Sequence, residues 1–226
     1  MKQTPLPAQY FLVVLLWMMW CTLHSSLIAT TVTDCVKKKL GSRFRFYRLF
    51  FNIVSLVTFI PLVHYSASFR QVPIFRWEGT LVIAKYLLLV TSLSLFVAGA
   101  KHYNLSQFLG IHQIKTGRTD QTLSKGYTFD KSGILGMIRH PWYTASIMVV
   151  WARDLSLPDL LINIVVSAYF IIGTNLEERK LLREYGEKYR EYQQTVSMFI
   201  PYKWVKRKVN GKHSVGSPPR TLSRHR

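Results

Sequence analysis

LVIAKYLLLVTSLSLFVAGA, residues 81–100, runs for twenty residues with a single ionisable side chain, Lys85. At ~1.5 Å per residue such a run makes a helix about 30 Å long, the thickness of a bilayer's hydrocarbon core. Its uniform apolarity therefore puts the chain in a membrane. Two further stretches share the character, Tyr10 to Thr33 and Phe50 to Ser66. A fourth and a fifth run from Trp142 to Trp151 and from Leu157 to Asn175, separated by Arg153-Asp154-Leu155-Ser156 ahead of Pro158. That turn-like break reads as the tip of a helical hairpin. The expected fold is all-α, a polytopic bundle of about five transmembrane helices with a C-terminal amphipathic cytoplasmic helix.

The net charge of +19 raises the question of nucleic acid, and the placement of the 30 basic residues answers it. Six lie between Lys37 and Arg48, six between Lys101 and Arg139, five between Arg179 and Arg190, and eight between Lys203 and Arg226. The intervening segments hold only Lys2, Arg70, Arg76 and Arg153, with Lys85 inside a span. Basic residues in alternate loops are a topology signal, so no nucleic acid is expected as a partner. The N-terminus is expected outside and the C-terminus in the cytoplasm, in a bacterial inner membrane, with anionic lipid near the basic end. The first apolar stretch exceeds a signal peptide's roughly 7–15-residue core and has its basic cluster after it, so it is expected to remain as a span. Cys21 and Cys35 give neither a metal spacing nor a disulfide framework, and no metal site is expected.

Residues 1–209 read as one domain and 210–226, biased toward Gly, Ser, Pro and Arg, as a basic disordered tail. Between Lys101 and His140 the glycines at 110, 117, 126, 133 and 136 favour turns, and this segment is the natural cytoplasmic binding surface. Past the last span, Leu182, Tyr185, Tyr189, Tyr192 and Val196 recur at helical spacing among charged residues. The pattern predicts an amphipathic helix that either lies on the membrane or caps a site. Gly186 inside it suggests close packing at that point.

The densest chemistry is in Gly133-Ile134-Leu135-Gly136-Met137-Ile138-Arg139-His140-Pro141-Trp142-Tyr143. Proline suits the first turn of a helix and biases the residue before it toward an extended backbone. Arg139 and His140 would then flank the free N–H groups and positive dipole end of the helix, which together favour an anion. The alternative is a pair of ordinary basic anchors at a helix start. Glu177-Glu178 follows directly on a span, where carboxylates need water, cations or hydroxyl donors. The hairpin brings these carboxylates back beside Arg139, His140 and Tyr143, as a salt bridge pinning two helices or as one composite site.

Taken in order, Gly133 through Arg139-His140-Pro141-x-Tyr143, Glu177-Glu178-x-x-Leu181, Tyr185-Gly186-x-x-Tyr189-x-x-Tyr192 and Val196 to Pro201 resemble the core shared by isoprenylcysteine carboxyl methyltransferases, phospholipid N-methyltransferases and NnrU-like proteins. Further upstream, His24-Ser25-Ser26-Leu27, Tyr47-Arg48 to Asn52 and Phe108-Leu109-Gly110-x-x-Gln113 resemble the NnrU and methanethiol S-methyltransferase branch. The resemblance implies an S-adenosylmethionine-dependent methyltransferase. Its cofactor-binding positions are Arg139, His140, Pro141, Tyr143, Glu177 and Glu178. The isoprenylcysteine enzymes carry an arginine shortly before the paired glutamates, where this chain has Gly173, Thr174 and Asn175. That difference favours a small hydrophobic thiol or a lipid-like acceptor over a prenylcysteine. A thiol must lose its proton, and His24, ionisable within a span, is a candidate to take it, the alternative being a histidine whose hydrogen bonds are satisfied within the bundle. The reading from another class is a noncatalytic NnrU-like protein of nitrogen-oxide, haem or electron handling, with His24, His64, His102, His112 and His140 as possible haem ligands.

Overall fold

The computed structural model describes residues 7–69, 72–117 and 131–214, with side chains to Asn210. Gly126 and the segment 215–226 of the basic tail lie outside the described residues. The chain is all-helical among those described: α1 Pro7–Ile28, α2 Thr30–Leu40, a 3₁₀ turn Gly41–Phe46, α3 Tyr47–Ser68, α4 Leu81–Ala100, α5 Leu105–Leu109, α6 Ile111–Thr116, a 3₁₀ turn Gly133–Gly136, α7 Pro141–Trp151, α8 Leu157–Tyr185, α9 Glu187–Thr195 and α10 Tyr202–Ser214.

The chain is an integral membrane protein in which four helical segments, Pro7–Ile28, Thr30–Ser68, Leu81–Ala100 and Leu157–Tyr185, are long and apolar enough to cross a bilayer. Large apolar side chains on them point outward, with Val57, Leu87 and Leu93 each more than 60 % exposed. Lipid is the solvent such a surface requires. The interior is thin and partly polar. Val13, Trp17, Leu62, Ile162 and Val166 pack together between α1, α3 and α8. Indole N–H groups reach hydroxyls across the helices, Trp17 to Ser66 at 2.9 Å and Trp20 to Thr58 at 3.1 Å. Ser92 donates to the carbonyl of Ala145 at 2.9 Å, tying α4 to α7.

The expected fourth crossing is where structure and expectation part. α7 has 11 residues, about 16 Å of helix and roughly half the hydrocarbon core. Its far end is met by the segment after α3: Ile74 N and Phe75 N donate to Leu155 O at 2.8 and 3.1 Å, and Leu155 N donates back to Phe75 O at 2.9 Å. Trp77 adds its indole N–H to the carbonyls of Trp151 and Arg153. Residues 72–80 thus supply the backbone partners that a short helix leaves open inside a membrane.

The expected single helix over Leu182–Val196 is also two. Gly186 takes φ 58°, closing α8 and opening α9, and nothing lies within 4 Å of where its Cβ would be. Backbone conformation, and not close packing, requires glycine there. The turn folds α9 back so that Tyr189, Tyr192 and Val196 are buried against Leu181, Leu182 and Tyr185.

One end of the bundle gathers the C-terminal ends of α1, α4 and α8 with the N-terminal ends of α3 and α7. Tyr47 Oη donates to Leu27 O at 2.7 Å, and Trp142 Nε1 to Phe96 O at 3.1 Å. This end carries the paired glutamates and the Arg-His-Pro stretch.

Candidate functional site

Pro141 occupies the first turn of α7, and the residues before it are extended against the chain that follows α9. Arg139 N donates to Ser197 O at 2.9 Å and His140 N to Met198 O at 3.2 Å. This short parallel pairing turns Arg139 inward. Its Nε and Nη2 make a two-pronged pair with Glu178, at 2.6 and 3.1 Å, while Nη1 donates to the carbonyls of Gln193 and Val196. Glu178 also accepts from Gln193 Nε2 at 2.7 Å, and His140 Nε2 lies 3.0 Å from its other oxygen. A carboxylate has about four lone-pair sites, and four donors fill them. Arg139, His140 and Glu178 are all buried.

Its neighbour is in different surroundings. The side chain of Glu177 is 44 % exposed, with one oxygen 3.9 Å from His140 Nδ1, and it shares a hydrogen bond with the hydroxyl of Tyr143. The Tyr143 ring stacks on the imidazole of His140, centroids 5.6 Å apart and planes 7° from parallel. Tyr103 completes this side: burial first, and the charge of Glu177 next, push its phenol well above its usual pKa, and its ring meets Trp142 at 4.7 Å. The end of the bundle therefore holds a closed ionic knot, Arg139–Glu178–His140–Gln193, beside an open acidic and aromatic face made by Glu177, Tyr143 and Tyr103.

All six residues expected at the site, Arg139, His140, Pro141, Tyr143, Glu177 and Glu178, are brought together. His24 is not joined to them directly. Its Nδ1 lies 3.0 Å from Ser55 Oγ and its ring stacks on Trp20 at 5.0 Å. A row of rings leads from it toward the knot: Tyr169 at 6.4 Å, then Phe170, Tyr143 and His140 at successive spacings of 5.7, 5.5 and 5.6 Å. The upstream motifs also meet. Arg48 Nε and Asn52 Nδ2 both donate to Phe108 O, at 3.1 and 3.0 Å. Gly110, at φ 88°, lets the chain pass so near α3 that a Cβ would lie 2.7 Å from the backbone nitrogen of Leu49.

Gln193 is the member that the sequence reading missed. It donates to Glu178 and its carbonyl receives both Arg139 and Lys203 Nζ, the latter at 2.7 Å. The signal available was its position four residues after Tyr189 and three before Val196, a polar side chain on an otherwise aromatic and apolar face. Tyr192 likewise acts through its hydroxyl, donating to Leu135 O at 2.6 Å and so fixing the turn ahead of Arg139.

The family model described as "NnrU protein" matches residues 12–171 of the chain, α1 to the middle of α8 and short of the paired glutamates. Over 150 residues the chain is 32 % identical to methanethiol S-methyltransferase 1 of Bradyrhizobium diazoefficiens, covering 60 % of this chain and 49 % of that one. Methanethiol S-methyltransferase 2 of the same organism is 26 % identical over 157 residues, 67 % of this chain and 60 % of that one. The methanethiol S-methyltransferase of Pseudomonas deceptionensis is 39 % identical over 66 residues, 29 % of this chain and 25 % of that one. The matched stretch is thus less than two thirds of each of these relatives. No solved structure matches.

Proposed function

Because the chain belongs to the NnrU protein family, we propose that it is a membrane-embedded S-adenosylmethionine-dependent methyltransferase whose acceptor is a small hydrophobic thiol, methanethiol being the first to test. The observation that carries this reading is the division of labour between the two glutamates. Glu178 is saturated and fixes the scaffold, whereas Glu177 presents a free acceptor edge beside two stacked rings. Such a face suits a ligand with an ammonium group, ribose hydroxyls and a sulfonium. The acceptor in the curated relatives' names supports the thiol, as does the absence of an arginine at residues 173–175.

When bound, S-adenosylmethionine supplies a methyl group already activated by its sulfonium. The residues need only align, desolvate and manage one proton. Glu177 accepts hydrogen bonds from the ammonium or ribose hydroxyls. Tyr103 and the hydroxyl edge of Tyr143 would line the side toward the positive centre. The first-turn N–H groups of α7 attract the carboxylate. Arg139 and Gln193 are positioning residues, since their polar atoms are engaged by Glu178 and by backbone carbonyls. His24 holds the proton that the thiol gives up, at Nε2, because Nδ1 faces Ser55. The ring row from Tyr169 to Tyr143 lines the apolar path along which the thiol would lie between His24 and the cofactor face. In this reading the N-terminus is outside and the site faces the cytoplasm.

The test is transfer of label from methyl-labelled S-adenosylmethionine, by protein reconstituted in bilayers, to methanethiol, longer alkyl thiols, phosphatidylethanolamine and farnesylcysteine side by side. Label in dimethyl sulfide or another thioether is the expected result. Label confined to the lipid or to farnesylcysteine methyl ester overturns the thiol assignment.

A further inference from the structure

Over the described side chains, as far as Asn210, α10 is attached to the rest of the protein along one side. Lys203 N donates to Ser197 Oγ at 3.1 Å and Lys203 Nζ to Gln193 O at 2.7 Å, and Arg207 Nη2 donates to Gly136 O at 3.1 Å. Trp204, on the same side, lines a cavity of about 370 Å³ with Gly133, Gly136, Arg207 and Lys208. At 3.6 residues per turn the opposite side carries Tyr202, Val205 and Val209, spaced by three and four. These are 60 %, 47 % and 50 % exposed, and Ile200 just ahead of the helix is 71 % exposed. Lys206 flanks this apolar stripe on one side, and on the other stands Lys208, exposed and with its Nζ 5.8 Å from the centre of the Trp204 ring. No aspartate or glutamate occurs between Tyr202 and Ser214.

The charge balance differs between the two ends of the bundle. At the far end Arg76 pairs with Glu78 at 3.3 Å, Lys85 with Asp154 at 3.7 Å and Arg153 with Asp159 at 3.2 Å. Lys206 and Lys208 have no acidic partner among the described residues. α10 also starts beside the N-terminal end of α7, at the end of the bundle where the apolar helices α1 and α4 finish, because the chain leading into it is pinned to residues 139 and 140. An apolar stripe between two lysines, set at that end and without acidic neighbours, matches an acyl boundary edged by anionic headgroups.

We propose that α10 is a surface-seated helix that binds anionic lipid of its own bilayer, with Tyr202, Val205 and Val209 in the acyl boundary and Lys206 and Lys208 on lipid phosphates. The seat has a structural consequence. Lys203 and Arg207 reach from the opposite face to the carbonyls of Gln193 and Gly136, so a helix held by lipid braces both the chain after α9 and the turn before Arg139. The inference does not depend on the reaction assigned above, and its test involves no catalysis.

The experiment places a nitroxide at Val209→Cys in the full chain, with Cys21→Ala and Cys35→Ser. The protein is reconstituted in phosphatidylcholine nanodiscs with and without phosphatidylglycerol. Oxygen accessibility above that of an aqueous nickel complex is expected with phosphatidylglycerol, reverting to water exposure without it or with Lys206→Glu and Lys208→Glu. A lysine near an anionic surface shifts the seating equilibrium about fivefold. Tryptic cleavage of the unaltered chain after Lys206, Arg207 and Lys208 is therefore expected to slow by about that factor or more in the anionic discs. A label that is water-exposed in both lipids, or equally deep in both, overturns the proposal. So does spin–spin coupling between labels, which would seat the helix against a second copy, or equal tryptic rates in the two lipids.

Discussion

Glu177 and Glu178 differ by one position and about 100° around a helix, and that rotation separates a scaffold from a contact surface. Glu178 lies four residues after the fully buried Thr174 and inherits its inward direction. Glu177 turns toward Tyr143. Glu178→Gln removes the charge opposite a buried guanidinium, and breaking such a pair costs about 3–5 kcal/mol. Glu177→Gln changes an exposed group and is expected to cost within ~0.5 kcal/mol. Thermal unfolding of the detergent-solubilised protein checks the order, and a larger loss in Glu177→Gln contradicts the assignment. For His24, alanine is expected to lower the methyl-transfer rate about a hundredfold, the lower range for a general base, with cofactor affinity unchanged. Single-turnover rates across a pH series measure it, and a rate equal to wild type returns His24 to a packing role beside Trp20 and Ser55. The acidic pair and the Arg-His-Pro stretch were legible because charge beside a membrane span is costly and therefore conspicuous. Which glutamate faces inward, and the part taken by Gln193, depend on contacts between segments far apart in the chain.

α7 reads from composition as a crossing, since an apolar run looks the same whether it spans the bilayer or stops halfway. The structure stops it at 11 residues because residues 72–80 fold in to meet its end, a pairing of distant segments that no local pattern announces. Gly186 was equally opaque: its place in an amphipathic repeat suggested packing, whereas its φ of 58° breaks the helix in two. The spans α1, α3, α4 and α8 were legible because length and apolarity suffice to define them. A second contact that holds α7 against α4, besides Ser92 on the carbonyl of Ala145, is at Gly99, where an added Cβ would lie 2.5 Å from Trp142 Nε1 and 2.6 Å from Cδ1. Gly99→Ala is therefore expected to push the indole off the Phe96 carbonyl and to cost about 1–3 kcal/mol, as overpacking does. Gly173→Ala in α8, with nothing within 4 Å, is expected to be neutral or to gain up to about 1 kcal/mol from helix propensity. Paired melting curves decide, and a Gly99→Ala protein as stable as Gly173→Ala contradicts the close approach.

Across the whole molecule, sequence and structure agree on a polarised bundle. Basic residues concentrate at the end where α1, α4 and α8 finish, and Arg76, Lys85 and Arg153 at the other end are matched by acids. Among the described residues four helical segments are long enough to cross, and α7 ends partway. Thiol labelling at Ser68→Cys and Ser214→Cys is expected to reach the two positions from opposite faces of the membrane, Ser214 from the cytoplasmic one. Labelling of both from the same face contradicts the topology. The role of the polarised end was legible only as far as its motifs. The ring row from His24 to His140 and the brace from α10 required the fold. The central claim is that this end binds S-adenosylmethionine through its open face, and calorimetric titration of the bilayer-reconstituted protein with the cofactor tests it most directly. Saturable binding is expected in the wild type, weakened about ten- to a hundredfold in Glu177→Gln by loss of a charge-assisted hydrogen bond at an unchanged melting temperature. No saturable binding by the folded wild type, or the same affinity in Glu177→Gln and His140→Ala as in the wild type, would contradict it.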